Sequence, residues 1–471
     1  MSPISLFIVY HLILYLILSF FIFKLAKSKN RDPAAWLLLG LFFSPVLILI
    51  ILVLCKKLLT PEKFFPTTLA LITLLSACGI VAVSMGLRQT FGLFSDFFVK
   101  DLQCTITQFG LAIGIQMLMW GMFAPIFGAF ADKIGGNKVT IIAFIFMALG
   151  IYLLYSGPNT GIFFQINLGL LVGIGLGGTA ISVQIAEVAK HFPNKTRGLA
   201  IGIVVAMASI GYFFSPMYTK FALTSFGWEK TLQTFLYFII FGMIFAIFLF
   251  PVKKNNSESN KNKINQNTNE QTISEALKEA FNHKGFILLI FGFFVCGFNI
   301  TLVAAHIPGY MQERGFEAWT AFAILSLIGL FNIFGTLTFG FLSGKYSKKI
   351  LLSILYFSRG IVLILFLFLP PSPYTALGFG VLYGYLWLAT IPPTNGIISQ
   401  IFGTKYLATL YGIVFFSHQI GGFLGAYLGG YFFDKYGSYD YAFYLSIGLS
   451  FFATLVHLPI DEKPVMRISV T

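Results

Sequence analysis

Long apolar runs recur along almost the whole chain, each long enough to cross a bilayer and separated from the next by a polar turn. From Leu69 onward they fall near 69–98, 107–131, 138–157, 162–189, 198–220 and 231–251. After a polar stretch they resume near 286–310, 319–343, 349–370, 374–401, 407–433 and 440–460. A transmembrane barrel would show alternating segments of about ten residues. These runs are continuous and rich in Leu, Ile and Phe, so the pattern predicts helices, the other architecture that satisfies its backbone in lipid. Two sets of six, matched in number and spacing, predict an internal repeat.

The stretch between the sets, Lys253–Thr272, is rich in Asn, Lys, Ser and Gln and has no aromatic residue, so it reads as a flexible linker, closed by a short amphipathic helix over Ile273–Phe281. The predicted organisation is therefore a first six-helix bundle over 66–252, a linker over 253–284, a second bundle over 285–461 and a tail over 462–471. Residues 1–60 form an extra hydrophobic hairpin, with runs Leu6–Phe23 and Ala34–Leu54 flanking Lys24, Lys27, Lys29 and Arg31. If both runs span, these bases lie outside, against the usual charge bias. Either the main body overrides that bias, or one run is re-entrant, broken at Gly40, Ser44 and Pro45. The first run lacks a basic leader and a small-residue cleavage site, so it is expected to be retained.

Charge supplies the orientation. Lys133, Lys138, Lys190, Lys195, Arg197, Lys253, Lys254, Lys345, Lys348, Lys349 and Lys405 fall in alternate loops, whereas the opposite loops hold few bases, such as Lys100, Lys220 and Arg314. The linker and C-terminus are thereby expected on the cytoplasmic side of an inner, cytoplasmic membrane. Hydrophobic residues make up 57% of the chain and charged ones 10%, against about 25% charged in an ordinary soluble domain. A net charge of +14 would suggest nucleic acid in a soluble protein, but here it is explained by topology, so no nucleic-acid partner is expected. Cys55, Cys78, Cys104 and Cys296 have neither metal-ligand nor disulfide spacing and read as small hydrophobes.

Between the second and third runs of the main body stands Gly128-Ala-Phe-Ala-Asp132-Lys133-Ile-Gly135-Gly136-Asn137-Lys138. The equivalent loop of the second set reads Gly340-Phe-Leu-Ser-Gly344-Lys345-Tyr-Ser-Lys348-Lys349, without the Asp. On this pair of loops the chain, over residues 66–460, resembles the major facilitator superfamily, whose signature here is Gly, then Asp-basic-x-Gly, then further bases. The resemblance implies twelve helices in two bundles, a solute site between them and a cytoplasmic gate built on Gly128, Asp132, Lys133, Gly135 and Lys138. An Asp at a helix end can accept hydrogen bonds from a neighbouring helix N-terminus and latch one conformation; the alternative is a solvated loop charge. Within the superfamily the chain is similar to the monocarboxylate and oxalate/formate branch, through Gly86-Leu-Arg88-Gln89-Thr-Phe91-Gly-Leu-Phe94, Cys296-Gly-Phe-Asn299 before His306-Ile-Pro308, and Tyr411-Gly412 before His418-Gln419-Ile-Gly421-Gly422. Thr336 stands where several members place a substrate-binding Arg.

Ionisable residues at lipid depth are costly and are candidates by default. Arg88 can hold a carboxylate bidentately, or else snorkel outward or pair with Asp96. Arg359 can brace the bundle by capping backbone carbonyls or can contact solute. Imidazole as a side-chain type suits proton coupling near neutral pH, so His306 and His418 are proton-coupling candidates, and His418 is also a solute contact candidate. Gln116, Gln184, Asn299, Asn332 and Asn395 can read a solute or hydrogen-bond between helices. Glu187, near Lys190, reads as a gate or ion pair. Glycine-rich stretches such as Gly169–Gly178 and Gly421–Gly430 lie inside apolar helices and read as close-packing faces rather than phosphate loops.

The expected function is a secondary transporter of a small organic anion resembling a monocarboxylate, driven by proton symport or exchange, without a cofactor and as a monomer in the bilayer. The chain has no nucleotide-binding motif for primary pumping and neither an HExxH pair nor a GxSxG elbow for an enzyme. Two alternatives remain open: an efflux carrier for an amphipathic compound, indifferent to Arg88, and a transporter-like receptor or scaffold acting through its N-terminal hairpin.

Overall fold

The structure, a computed structural model, describes residues 18–29, 32–33, 67–158, 161–249 and 271–465. Most of the expected hairpin over 1–60, the linker core over 253–270 and the last tail residues 466–471 lie outside the described residues, although 18–28 are helical.

Among the described residues eleven helices are long and apolar enough to cross a membrane. In the first set these are α1 (Thr68–Asp101), α2 (Ile106–Ile134), α3 (Gly136–Ser156), α4 (Ile162–His191), α5 (Thr196–Phe226) and α6 (Trp228–Ile247). In the second they are α7 (Lys284–Glu313), α8 (Ala318–Ser343), α9 (Lys348–Phe368), α10 (Pro373–Phe402) and α11 (Leu407–Tyr436). The last run also forms a helix, α12 (Asp440–His457), shorter and with a charged residue at its first position. All twelve apolar runs from Leu69 onward are thus helical, as their periodicity predicts.

Local chemistry sets the helix ends. Thr105 caps α2 in a reciprocal box with Gln108, its hydroxyl accepting the Gln108 N–H while Gln108 Oε1 accepts the Thr105 N–H. At the other end of α2, Gly135 adopts φ +96°, a conformation cheap only for glycine, and turns directly into α3. The short helix Ile273–Asn282 before α7 opens with the same device, Thr272 and Glu275. Its carboxyl, accepting the Thr272 N–H and hydroxyl, is held below the ordinary Glu range. Lys405 and Tyr406, between α10 and α11, both donate to the Gln271 carbonyl just ahead of that helix.

The fourth helix of each set is broken. α4 contains a π-helical stretch, Gln165–Leu171, and an extended residue at Ala180. α10 is interrupted between Leu386 and Ile391, ahead of Pro392 and Pro393. A break at membrane depth exposes carbonyls that lipid cannot satisfy, and side chains from neighbouring helices supply the donors. In α4 the Thr179 carbonyl accepts the Ser84 hydroxyl, and the Gly178 carbonyl accepts Gln184 Nε2 and the Thr140 hydroxyl. In α10 the Leu386 and Trp387 carbonyls accept Arg359 Nη2 at 2.6 and 2.9 Å, and Asn332 Oδ1 accepts the Leu388 N–H.

By internal packing the chain falls into two compact units, Met1–Leu75 with Val188–Gly202 and Ser76–Glu187 with Ile203–Thr471. In the described part of the first, Ile22 and Ala26 are fully buried, Thr67 caps the start of α1 through the Ala70 N–H, and Arg197 Nε donates to the Phe192 carbonyl. The second contains the rest of both helix sets. There α7, α11 and α2 pack through glycines that have no room for a β-carbon: Gly297 abuts the His418 carbonyl, Gly421 the Phe294 carbonyl, Gly425 the Phe298 carbonyl and Gly110 the Ala426 carbonyl. In lipid, where the hydrophobic effect does not drive helices together, such close backbone approach is what dispersion rewards.

Candidate functional site

The candidate site lies within the second unit, where α1 and α2 face α7 and α11. At the end of the bundle that carries Thr105 and Gly437 the two helix sets are tightly joined. Gly92 of α1 abuts the Ala304 and Ala305 carbonyls of α7, Gly430 of α11 abuts the start of α2, and the Phe109 and His306 rings meet edge to face at 6.2 Å. Asp434 Oδ2 accepts the Thr107 N–H at 2.7 Å, so a carboxylate of α11 sits on the N-terminus of α2, where the helix dipole favours it. The Gln312 amide, oriented to donate, reaches Asp96 at 2.7 Å. Replacing Asp434 with Asn should weaken this closure by about 1 kcal/mol, seen as roughly fivefold faster hydrogen exchange at the start of α2. Unchanged exchange would show that the carboxylate does not hold the end shut.

Below this seal lies Arg88. It is 9% exposed, its Nη2 donates to Met117 Sδ at 3.2 Å, and its guanidinium rests over the Trp120 ring at 5.2 Å. The Tyr212 hydroxyl approaches it from α5. Nε has no partner, and no carboxylate pairs with this cation among the described residues. The alternatives of snorkelling to the interface and of pairing with Asp96 are not what the structure shows: the guanidinium is buried, and Asp96 is directed to Gln312.

From Trp120 a line of rings crosses to α11 and α7: Trp120 to Phe415 at 5.6 Å, Phe415 to His418 at 5.7 Å and His418 to Phe293 at 5.0 Å. Gln419 Nε2 donates to the Met117 carbonyl, which leaves its Oε1 to accept from His418 Nδ1 at 2.9 Å. His418 and Arg88 are therefore linked through Met117 and Gln419. Arg359, fully buried, faces the broken α10, with Nη1 toward Cys296 Sγ at 3.5 Å and its cation between Tyr356 and Tyr383. Of the two roles open to it, capping backbone carbonyls is the one the geometry displays. The sequence reading of Cys296 as only a small hydrophobe is corrected here, because its sulfur is a hydrogen-bonding partner of Arg359 and Thr390.

The neutral candidates are dispersed. Gln116 Nε2 donates to the Leu168 carbonyl of the π-helical stretch, and Gln184 Nε2 to Thr140 and the Gly178 carbonyl. Asn299 is engaged at both ends of its amide, by Ser450 and Ser446 of α12. Asn395 Nδ2 donates to its own helix at the Ile391 carbonyl, with the Tyr411 hydroxyl nearby. His306 Nε2 bonds the Ala426 carbonyl at 2.7 Å and belongs to the sealed end. Asn332 Nδ2 donates to Ser209 of α5 at 2.8 Å, a contact between the two helix sets.

At the opposite end of α2, Asp132, Lys133 and Lys138 are exposed, and Gly128 has open space around it. Glu187, at the end of α4, is buried with its side chain against Gly136, so closely that no β-carbon would fit there. Spacing placed Glu187 near Lys190 along the sequence; the fold brings its side chain to Gly136, at the first turn of α3. The residues around Arg88 that the sequence did not single out are Met117, Trp120, Tyr212 and Phe415, which lie within apolar runs. Gln89, fully buried with both amide atoms unpartnered, was visible only as Arg88's neighbour.

The chain resembles known carriers over most of its length. It is 26% identical over 377 residues to the MFS-type transporter YcxA of Bacillus subtilis strain 168, covering 76% of this chain and 88% of that protein. It is 24% identical over 399 residues to the hexuronate transporter of the same organism, with 80% and 92% covered. It is 25% identical over 393 residues to monocarboxylate transporter 13 of Rattus norvegicus, with 81% and 88% covered. Its fold matches a crystal structure of a bacterial homologue of the human lysosomal transporter Spinster, inward-facing and unoccupied, with TM-score 0.61 at 15% identity over 84% of this chain and 99% of that one. The family model of the Major Facilitator Superfamily matches residues 77–426, and this multi-pass membrane protein belongs to that transporter family.

Proposed function

We propose that the protein is a secondary carrier of a small organic anion bearing a carboxylate, working by alternating access and coupled to protons or to counter-solute. The observation that carries this reading is Arg88, a buried guanidinium whose protein contacts are a thioether, an indole face and a tyrosine hydroxyl. A lone cation at membrane depth is unfavourable, and a carboxylate that enters and pairs with it removes that cost. Relatives named for monocarboxylates and for hexuronates share that one chemical feature of their solutes, and both support the reading.

The alternate-loop bases support a cytoplasmic membrane location with the Gly128–Lys138 loop, the linker and the C-terminus inside. The Thr105 end then faces outward, and its seal of glycines, Phe109 and Asp434 closes that outer side. Two bundles over 66–252 and 285–461, rocking about the α2–α11 and α5–α8 contacts, would expose Arg88 alternately, with Asp132 and Glu187 closing the inner end. The carrier is taken to act as a monomer.

The test is uptake into liposomes of a labelled panel of monocarboxylates and uronates, with and without an inward proton gradient. Saturable uptake of at least one acid, stimulated by the gradient or by internal unlabelled acid, is the expected result. No uptake of any acid, with amphipathic cations or neutral compounds moving instead, would overturn the anion assignment.

A further inference from the structure

Cys296, Arg359 and His418 form a polar cluster in the core that the anion site does not need. Arg359 and Cys296 are fully buried, and Arg359 has no carboxylate partner among the described residues. A guanidinium in such surroundings calls for an anion within contact distance. The group that occupies that position is the Cys296 sulfur, 3.5 Å from Arg359 Nη1 and 3.2 Å from the Thr390 hydroxyl. The Tyr356 hydroxyl and the His418 imidazole approach the same sulfur, and the Tyr383 and Tyr411 phenols lie further out.

The tautomer of His418 follows from its neighbour. Gln419 Nε2 is committed to the Met117 carbonyl, so Gln419 Oε1 faces His418 Nδ1 as an acceptor, and Nδ1 carries a hydrogen. Nε2 is then the ring nitrogen not committed to Gln419, in the imidazole that approaches the sulfur. A guanidinium donates to that sulfur, and a hydroxyl and an imidazole stand beside it. Such convergence stabilises a thiolate rather than a thiol.

We infer that Cys296 is the proton site of this carrier, held as a thiolate against Arg359 while its proton resides on His418 Nε2. In the transfer the S–H bond breaks and an N–H bond forms on the imidazole, so the pair holds one proton in either form. Acidification adds a second proton, giving thiol and imidazolium. Gln419 and Met117 connect this pair to Arg88, since the Met117 residue that accepts from Gln419 through its carbonyl also accepts from Arg88 through its sulfur. The inference adds the proton-carrying group to the anion-carrier reading and rests on that reading only for its transport readout.

The infrared S–H stretching band reads the thiol directly and needs no solute. In full-length protein with Cys55, Cys78 and Cys104 replaced by alanine, Cys296 is the single thiol. Expected is no S–H band at neutral pH, its appearance on acidification, and a full band at neutral pH in the same protein carrying Arg359→Gln. A full-strength band at neutral pH with Arg359 present overturns the proposal, whether or not the Arg359 variant folds. In liposomes, Cys296→Ser and His418→Gln should each shift the pH profile of acid uptake by at least one pH unit, and an unshifted profile in both would remove Cys296 from proton coupling. Failure of every acid to enter would count against the anion assignment and leave the infrared result standing.

Discussion

Arg88→Gln should cut carboxylate uptake about a hundredfold at low solute concentration while leaving the folded protein as stable as before or more so. The guanidinium is buried with one donor atom unpartnered and no counter-charge, so its removal relieves a desolvation cost that the protein alone does not offset. The transported carboxylate loses its charged partner, at about 2–3 kcal/mol, or roughly a hundredfold in uptake at low solute concentration. Arg88→Lys keeps the charge but lacks the planar fork, and should fall between the two. Uptake and thermal unfolding in detergent are measured on the same preparations. If Arg88→Gln unfolds at a markedly lower temperature and its residual transport tracks the amount of folded protein, Arg88 is a bracing residue and the anion site lies elsewhere.

Gly421→Val should destabilise the protein by about 2–4 kcal/mol, a drop of roughly 5 °C or more in unfolding temperature, by forcing α7 away from α11. A β-carbon at Gly421 would overlap the Phe294 carbonyl and crowd the Phe298 nitrogen, atoms of a helix backbone that cannot rotate aside. Gly297, on the facing helix, is in the same position against the His418 carbonyl. Gly412, on the same α11, has open space, so Gly412→Ala should leave stability unchanged or raise it slightly through helix propensity. Equal unfolding temperatures for Gly421→Val and Gly412→Ala would mean that the close approach of α7 to α11 is not a feature of the folded protein. The same spacing serves the cation cluster, because Gly297 lets the chain carry Cys296 up to His418.

Much was legible along the chain. Helices, their number and approximate limits follow from apolar length and period, because a helix satisfies nearly all of its backbone polar groups within its own segment, which lipid cannot do for it. The tight α2–α3 turn was legible too, since Gly135 with φ +96° must be glycine and sits at a helix junction whatever the packing. Arg88, Arg359 and His418 stood out because charge or potential charge in an apolar run is costly.

What the sequence could not distribute was partnership. Arg88 and Arg359 are alike as isolated residues in apolar helices; only the break in α10, which presents the Leu386 and Trp387 carbonyls, makes one a backbone cap and leaves the other with a thioether, an indole face and a tyrosine hydroxyl. Gln116, Gln184 and Asn299 are equally polar in the sequence, and the fold turns each toward a hydrogen-bonding neighbour more than ten residues away or on another helix. Cys296 reads as a small hydrophobe until α9 and α11 bring Arg359 and His418 to its sulfur. Hydrophobic period and local capping act over one or two helical turns, so the sequence by itself determined the helices, their limits and the membrane as solvent. Pairing between charges and dipoles acts across helix interfaces, and only the tertiary structure decided which buried group meets which.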